Sequence, residues 1–279
     1  MSIQPHTNTI IPNPGSKDFL ADYYFKENNE PLPLVIFCHG YKGFKDWGGW
    51  YRVAEQFAEA GFFFVKFNFS HNGTTVQNPL EFDDLEAFGN NNFSKEANDI
   101  DQILEYFSSF KEVDADRIAI IGHSRGGGIS LIKAYEDEKI KALITWNGVS
   151  NFKYRFPNDL KKWKEAGVFY SENKRTHQQM PHYFQFYEDF SANEERFNIQ
   201  YAAQHFTKPF LILHGGDDET VKTKEPELLH EWAKNSELVY IGGGTHTFNT
   251  KHPWPGKEVP PQMQQAIDLS VNFLKRNLK

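Results

Sequence analysis

Residues 118–128 read Ile118-Ala119-Ile120-Ile121-Gly122-His123-Ser124-Arg125-Gly126-Gly127-Gly128. An unbroken apolar run with β-branched residues reads as a buried strand. The pattern Gly-x-Ser-x-Gly follows it without a gap, and the glycines after it open a helix that runs to about Asp137. Strand, tight turn and helix are the context this pattern needs to carry chemistry. The small residues let strand and helix approach each other. The serine then projects from the turn, and the helix N-terminus points backbone N–H groups at the same spot. Ser124 is the candidate nucleophile. The alternative, a plain glycine turn before a helix, leaves the flanking strand and helix unexplained.

Working outward, short apolar runs alternate with helical periodicity. Leu34 to Phe37 reads as a strand ending at His39-Gly40, Tyr51 to Ala60 as a helix closed by Gly61, and Phe62 to Phe67 as a second strand. A polar loop spans Ser70 to Asn92. Ser94 is placed to cap a helix whose apolar positions Ile100, Ile103, Leu104 and Phe107 follow the i, i+3, i+4, i+7 spacing. Asp114-Ala115-Asp116 reads as a turn before the strand Arg117 to Ile121. Lys141 to Trp146, Phe210 to Leu213 and Glu237 to Ile241 are the further strands. Glu225 to Ala233 is a helix, and Pro260-Pro261 opens a last one with Met263, Ala266, Ile267, Val271 and Leu274 on one face. Phe19 to Phe25 is expected as an antiparallel edge strand. Continuous apolar strands between amphipathic helices predict an α/β fold, with a mostly parallel sheet flanked by helices.

Ser150 to Thr207 breaks the alternation and is too long for a plain loop. It carries Trp163, Phe169, Tyr170, Tyr183, Phe184, Phe186 and Tyr187. The expected organisation is one domain over residues 1–279, with residues 150–207 inserted as a cap or lid.

A serine nucleophile requires a base and an acid that orients it. Past the strand 210–213 come His214-Gly215-Gly216-Asp217-Asp218, so Asp217 and Asp218 both compete for the acid. Past the strand 237–241 comes Gly242-Gly243-Gly244-Thr245-His246, which offers His246 as base. His252, just before Pro253, reads as a surface-loop residue. The oxyanion that forms at the attacked carbonyl needs two N–H donors. Arg125, directly after the nucleophile, supplies one. Tyr41, in the loop His39-Gly40-Tyr41-Lys42-Gly43, is the choice for the other.

These blocks resemble, in order and over most of the chain, the α/β-hydrolase superfamily, in particular its dienelactone-hydrolase and cinnamoyl-esterase-like group. The matching segments are Cys38 to Phe44, Asn68-Phe69-Ser70-His71, the Gly-His-Ser-Arg-Gly-Gly turn, His214-Gly215 with its following acids, and Gly244 to Phe248. The resemblance implies the α/β-hydrolase fold. It aligns the pattern His-Gly-x-x-Asp-x-x-Val with Asp218 and Val221, which selects Asp218 over Asp217, and it supports Tyr41 as an oxyanion donor. Dienelactone hydrolases carry cysteine at the nucleophile position, where this chain has serine. The implied activity is serine ester hydrolysis on small or medium acyl groups, aromatic ones among them, through an acyl-enzyme. Two alternatives stay open: an aminopeptidase or acyl-peptide hydrolase, with Glu188 and Asp189 receiving a charged amine, and an inactive member that binds a ligand.

Composition narrows the partners. A formal net charge of -7 argues against a nucleic-acid surface. No run approaches the ~18 apolar residues of a membrane span, and the N-terminus lacks a signal-peptide pattern, so a cytoplasmic location is expected. The one cysteine, Cys38, sits at a strand end as a buried thiol. The histidines show no metal-ligand spacing, so neither metal nor cofactor is expected. With 26 phenylalanines the chain has rings to spare for a pocket as well as a core. His71, Trp163, Tyr183 and Phe184 are the candidates for its wall, and a small-molecule ester is the expected partner.

Overall fold

The computed structural model describes residues 3–279. One sheet of eight strands carries the fold, in the order β1-β2-β4-β3-β5-β6-β9-β10. Its members are β1 (Ile3–Ile11), β2 (Phe19–Lys26), β3 (Leu32–Cys38), β4 (Phe63–Phe67), β5 (Val113–His123), β6 (Ile140–Trp146), β9 (Phe210–Gly215) and β10 (Ser236–Ile241). From β4 through β10 every neighbouring pair is parallel, while β1 and β2 run antiparallel at one side. Parallel strands end on the same edge. The segments after β3, β5, β6, β9 and β10 therefore gather at the carboxyl edge, where open α/β sheets bind ligands.

Alternation along the strands explains the layers. Leu34, Ile36, Ile118 and Ile120 face one core, shared with α3 (Phe93–Ser108), α4 (Arg125–Glu136) and α8 (Lys224–Trp232). Val35, Phe37, Ala119 and Ile121 face the other, shared with α1 (Trp50–Glu59) and α9 (Pro261–Asn277). Strands buried on both faces must be apolar at every position, which is why they read as continuous runs rather than alternating ones. Each fully buried Phe or Leu side chain contributes about 1.5–3 kcal/mol relative to exposure, so this double core dominates the stability.

Several sequence expectations change. Phe19–Lys26 is antiparallel but is not the edge, because β1 pairs outside it. The expected polar loop contains a short helix, α2 (Leu85–Gly89), capped by Asp84, whose side chain accepts the Ala87 N–H. Asn92, not Ser94, caps α3, its side chain accepting the Lys95 N–H, and Ser94 falls inside the first turn. The expected turn at 114–116 is an irregularity within the single long strand β5, where Pro33 pairs with Asp114 and Leu34 with Ile118. Lys66, which ends the most apolar run of the chain, is fully buried in β4. Its ammonium lies 2.5 Å from Asp22 and from Asp46, and Lys45 joins the same group. Burial in a sheet interior is tolerable for that ammonium because two carboxylates surround it.

Between β6 and β9 lie a 3-10 turn (Lys153–Arg155), α5 (Leu160–Ala166), a two-stranded antiparallel hairpin of β7 (Val168–Glu172) and β8 (Gln179–Tyr183), α6 (Gln185–Ala192) and α7 (Ile199–His205). Asp159 caps α5, and Gly167 ends it in the left-handed conformation. The hairpin pairs with no strand of the main sheet. No helix among the described residues is long and apolar enough to cross a membrane.

Candidate active site

Ser124 joins β5 to α4 with φ 56 and ψ -121, a left-handed conformation that non-glycine residues rarely adopt. The flanking glycines make it possible. A Cβ on Gly122 would stand 2.3 Å from the Gly126 carbonyl oxygen, and one on Gly126 would stand 2.4 Å from that of His39. Both positions therefore exclude any side chain, and the turn brings β5, α4 and the loop after β3 into backbone contact.

His246 and Asp218 are brought together. Nδ1 of His246 lies 2.7 Å from Oδ2 of Asp218, leaving Nε2 as the free ring nitrogen. Asp218 is buried, and its other oxygen accepts the Thr220 and Val221 N–H groups at 2.7 and 2.9 Å. Burial pushes the carboxyl up, but the His246 hydrogen bond and charge, with the two N–H donors, outweigh it and hold Asp218 below the usual carboxylate range. Asp217 is exposed and uses its backbone to bind the Gly244 carbonyl. His252 stands elsewhere. Its Nδ1 accepts the Gly48 N–H at 2.9 Å and its ring packs on Phe44 and Trp47, so it ties two loops together rather than standing free on the surface.

The His246 loop is held from the ends of two strands. The His246 carbonyl receives hydrogen bonds from His123 Nε2 and Asn147 Nδ2, both at 2.8 Å. Asn147 Oδ1 in turn accepts the Gly215 N–H at 2.7 Å. Burial pushes the His123 imidazole down to about 3, so it is neutral and donates through Nε2. Asn147 escaped the sequence reading. Its signal was a polar residue with positive φ directly after an apolar strand, invisible without the backbone. Ser124 and His246 form no hydrogen bond with each other here. Such contacts are often long in unliganded enzymes and tighten when substrate binds.

Among the described residues, neither the Tyr41 nor the Arg125 backbone N–H has an acceptor. Unpartnered N–H groups beside a nucleophile suit an incoming oxyanion. His39 shapes the first of the two loops. It accepts the Phe69 N–H at Nε2 (3.2 Å) and donates from Nδ1 to the Gly40 carbonyl (2.9 Å), and burial pushes it down to about 4. The Arg125 guanidinium pairs with buried Glu96 at 2.6 Å and lies over the Tyr41 ring. Cys38 is buried at the end of β3, and burial pushes its thiol up to about 12, which removes it as a nucleophile.

A cavity of about 300 Å³ opens on Ser124. Trp163 is in its wall, with Phe93, Phe152, Phe156, Phe169 and Phe186. The other pocket candidates lie outside that lining. His71 is turned to the Ser70 hydroxyl at 2.8 Å, Tyr183 bonds Glu86 at 2.5 Å, and Phe184 packs behind Trp163. The wall also holds Tyr41, Ser171 and His182, a polar group that sequence reading missed because its members meet only where hairpin β7–β8 packs against the loop after β3. Arg125 and Arg155 line the cavity, each paired with a glutamate, and no carboxylate does so among the described residues. No cluster of three or more His, Cys, Asp or Glu side chains suited to a metal ion occurs among them.

A family model described as the alpha/beta hydrolase fold matches residues 33–188. The uncharacterized peptidase YtmA of Bacillus subtilis (strain 168) is 26% identical over 196 residues, covering 66% of this chain and 68% of that protein. Est1E from Butyrivibrio proteoclasticus, solved with ferulic acid bound, superposes with a TM-score of 0.74 at 20% identity, covering 96% of this chain and 98% of its own. A putative dienelactone hydrolase from Klebsiella pneumoniae subsp. pneumoniae MGH 78578 gives 0.66 at 15% identity, with 99% and 100% covered. At such identities the two solved structures bear on the fold alone.

Proposed function

The chain belongs to the alpha/beta hydrolase fold family, and from that premise we propose that it is a serine hydrolase of carboxylic esters with small to medium, apolar or aromatic acyl groups. The observation that carries this reading is a convergence. The left-handed Ser124 and the residues of two unpartnered N–H groups, Tyr41 and Arg125, line one aromatic cavity, and the His246–Asp218 pair at 2.7 Å stands at the same edge of the sheet, with Thr220 and Val221 beside Asp218 reaching the cavity wall. In this reading His246 Nε2 takes the Ser124 proton as Oγ attacks the ester carbonyl. Asp218 keeps Nδ1 protonated and stabilises the imidazolium that forms. The N–H groups of Tyr41 and Arg125 receive the oxyanion. His246 then protonates the leaving alcohol, and the acyl-enzyme is hydrolysed by water with His246 again as base. The segment 150–207 acts as the cap that closes the acyl cavity. Ester and dienelactone hydrolase names among the structural neighbours agree with this chemistry.

A peptidase reading is favoured by the likeness to YtmA. A free ammonium finds no carboxylate among the described residues that line this cavity. Of the acids that sequence reading offered as its receptor, Glu188 is exposed and Asp189 accepts the Ser94 N–H, and neither lines the cavity. The test is a panel of p-nitrophenyl esters, aryl esters, lactones and aminoacyl anilides, with Ser124→Ala beside the native chain. Ester turnover that drops by about 10⁴-fold or more in the variant is expected. Full turnover by Ser124→Ala would contradict the assignment.

A further inference from the structure

The loop after β3 and the inserted hairpin are joined side chain to side chain. The Tyr41 phenol oxygen lies 2.6 Å from Ser171 Oγ and 2.7 Å from His182 Nε2, and those two atoms are 3.0 Å apart. Next to it, Lys42 Nζ donates to the Glu172 carbonyl at 2.7 Å. All three partners sit on β7 and β8. A phenol donates one proton and accepts another, whereas an imidazole nitrogen does only one of these. Ser171 has the same capacity, but Nε2 of His182 stands nearer the phenol, at 2.7 Å, than the Ser171 hydroxyl, at 3.0 Å, which makes Tyr41 the hub, donating to His182 and accepting from Ser171. Burial, with Arg125 and Lys42 nearby, pushes His182 down to about 3, so the contact is between neutral groups.

The hairpin has other anchors. Tyr183 donates to Glu86, its ring lies against Gly89 where a Cβ would come within 2.8 Å, and Gln178 Nε2 donates to the Phe82 carbonyl at 3.0 Å. The loop is also held on both sides of residues 41 and 42. Gly43 N–H bonds the Gly40 carbonyl at 3.0 Å, and Lys45 N–H bonds Asn68 at 2.6 Å. Between these points, among the described residues, the hydrogen bonds of Tyr41 and Lys42 run to the hairpin alone, and Lys42 carries a φ of 56. An anchored hairpin therefore grips the stretch of loop whose N–H must face the oxyanion.

We propose that hairpin β7–β8 sets the Tyr41 N–H through this clasp, with Ser171 and His182 as positioning residues. Tyr41 then acts twice, through its N–H on the reacting oxygen and through its phenol on the insertion. This rests on the ester-hydrolase reading above. Its consequence is that the insertion contributes to turnover of every ester, besides selecting acyl groups.

The test is Tyr41→Phe, which keeps the ring and the N–H and removes the hydroxyl. It is assayed with an acetyl ester and a bulky aromatic ester, and against a trifluoromethyl ketone that forms a tetrahedral adduct. Removal of a whole oxyanion donor costs about 10²–10³-fold in kcat, so its misplacement is expected to cost about 10-fold. That loss should appear in kcat for both esters, with KM changed less than about 2-fold and the ketone inhibition constant raised by the same factor. Ser171→Ala should show a smaller loss of the same kind, and the double variant should be no worse than Tyr41→Phe alone. If Tyr41→Phe is too unstable to assay, Ser171→Ala carries the test with the same split. Unchanged kcat and ketone affinity would overturn the clasp. So would a loss confined to KM and to the larger ester, which would mean direct contact with substrate. Ser124→Ala is measured in parallel. If it is active, the hydrolase reading itself fails; if it is inactive while Tyr41→Phe matches the native chain, the clasp alone fails.

Discussion

At the carboxyl edge of the sheet, each chemical group stands within a few residues of a strand end. Ser124 directly follows β5, Asp218 lies just past β9, and His246 lies in the loop after β10. The insertion is built the other way. Its hairpin pairs with no strand of the main sheet, and its ties reach across the chain, from Ser171 to Tyr41, from Gln178 to Phe82 and from Arg175 to Glu81. The edge is thus an arrangement set by where the strands end, pinned by side chains that stand at those same strand ends, such as His39, His123 and Asn147. The insertion depends on particular side chains meeting partners far away in the chain. In the proposed reading the first kind of construction supplies the chemistry, while the second shapes what reaches it and holds the Tyr41 loop.

The largest effects should come from the edge. Asp218→Asn leaves the shape of the site but lets Nδ1 of His246 lose its proton to the wrong tautomer, and kcat should fall by about 10³–10⁴-fold with an unchanged thermal midpoint. A loss under about 10-fold in steady-state assays would mean that Asp218 does not orient the base. Cavity-wall residues of the 150–207 segment outside the Tyr41 clasp should act on selection. Phe186→Ala enlarges the cavity wall and should lower kcat/KM by about 10–100-fold for a bulky aromatic acyl group, and much less for an acetyl ester. Equal losses on both would blur the division between the two regions. A third comparison uses charge. With no carboxylate among the described residues that line the cavity, an N-acetylated aminoacyl ester should be cleaved at least about 10-fold faster than the same ester with a free ammonium, and the gap should close as pH deprotonates the amine. A preference for the ammonium form would restore the aminopeptidase reading.

The smallest effect concerns acid stability. His39 and His123 at the edge and His182 in the insertion are held neutral by burial, at about 4, 3 and 3. In the unfolded chain each takes up a proton near pH 6.5. Between pH 6.5 and about 4 the unfolded state binds more protons at these sites than the folded state. Stability therefore falls as pH falls, by up to about 1.4 kcal/mol per pH unit for each imidazole. His182→Asn should reduce that slope by one such contribution. Urea unfolding at pH 6.5, 5.5 and 4.5 measures it, and an unaltered slope would mean that His182 is accessible to protons in the folded state.

The same contrast governs what the sequence disclosed. The parallel strands were readable because burial on both faces demands continuous apolar runs. Ser124, His246 and the pair Asp217-Asp218 stood out as candidates because they follow those runs, and the choice of Asp218 came from the family resemblance. β1 was missed because Ile3–Ile11 is polar and lies at the edge, where one side of the strand stays in water. Lys66 marked the end of an apolar run, yet it lies fully buried, since its partner Asp22 comes from a strand distant in sequence. His71 drew attention in a motif at the carboxyl edge and Tyr183 as an aromatic of the 150–207 segment, but they bond Ser70 and Glu86 and lie outside the cavity lining. Ser171 and His182 gave no local signal. They become recognisable only when the hairpin brings both to the phenol of Tyr41.

The central claim is that Ser124 is a nucleophile activated by the strand-end arrangement. A fluorophosphonate reacted with the folded protein, followed by peptide mass spectrometry, tests it most directly. The account predicts one adduct per chain, on Ser124, with ester turnover lost in proportion to labelling and little reaction in Asp218→Asn. An unlabelled Ser124 in protein that hydrolyses esters, or turnover that survives complete labelling, would contradict it.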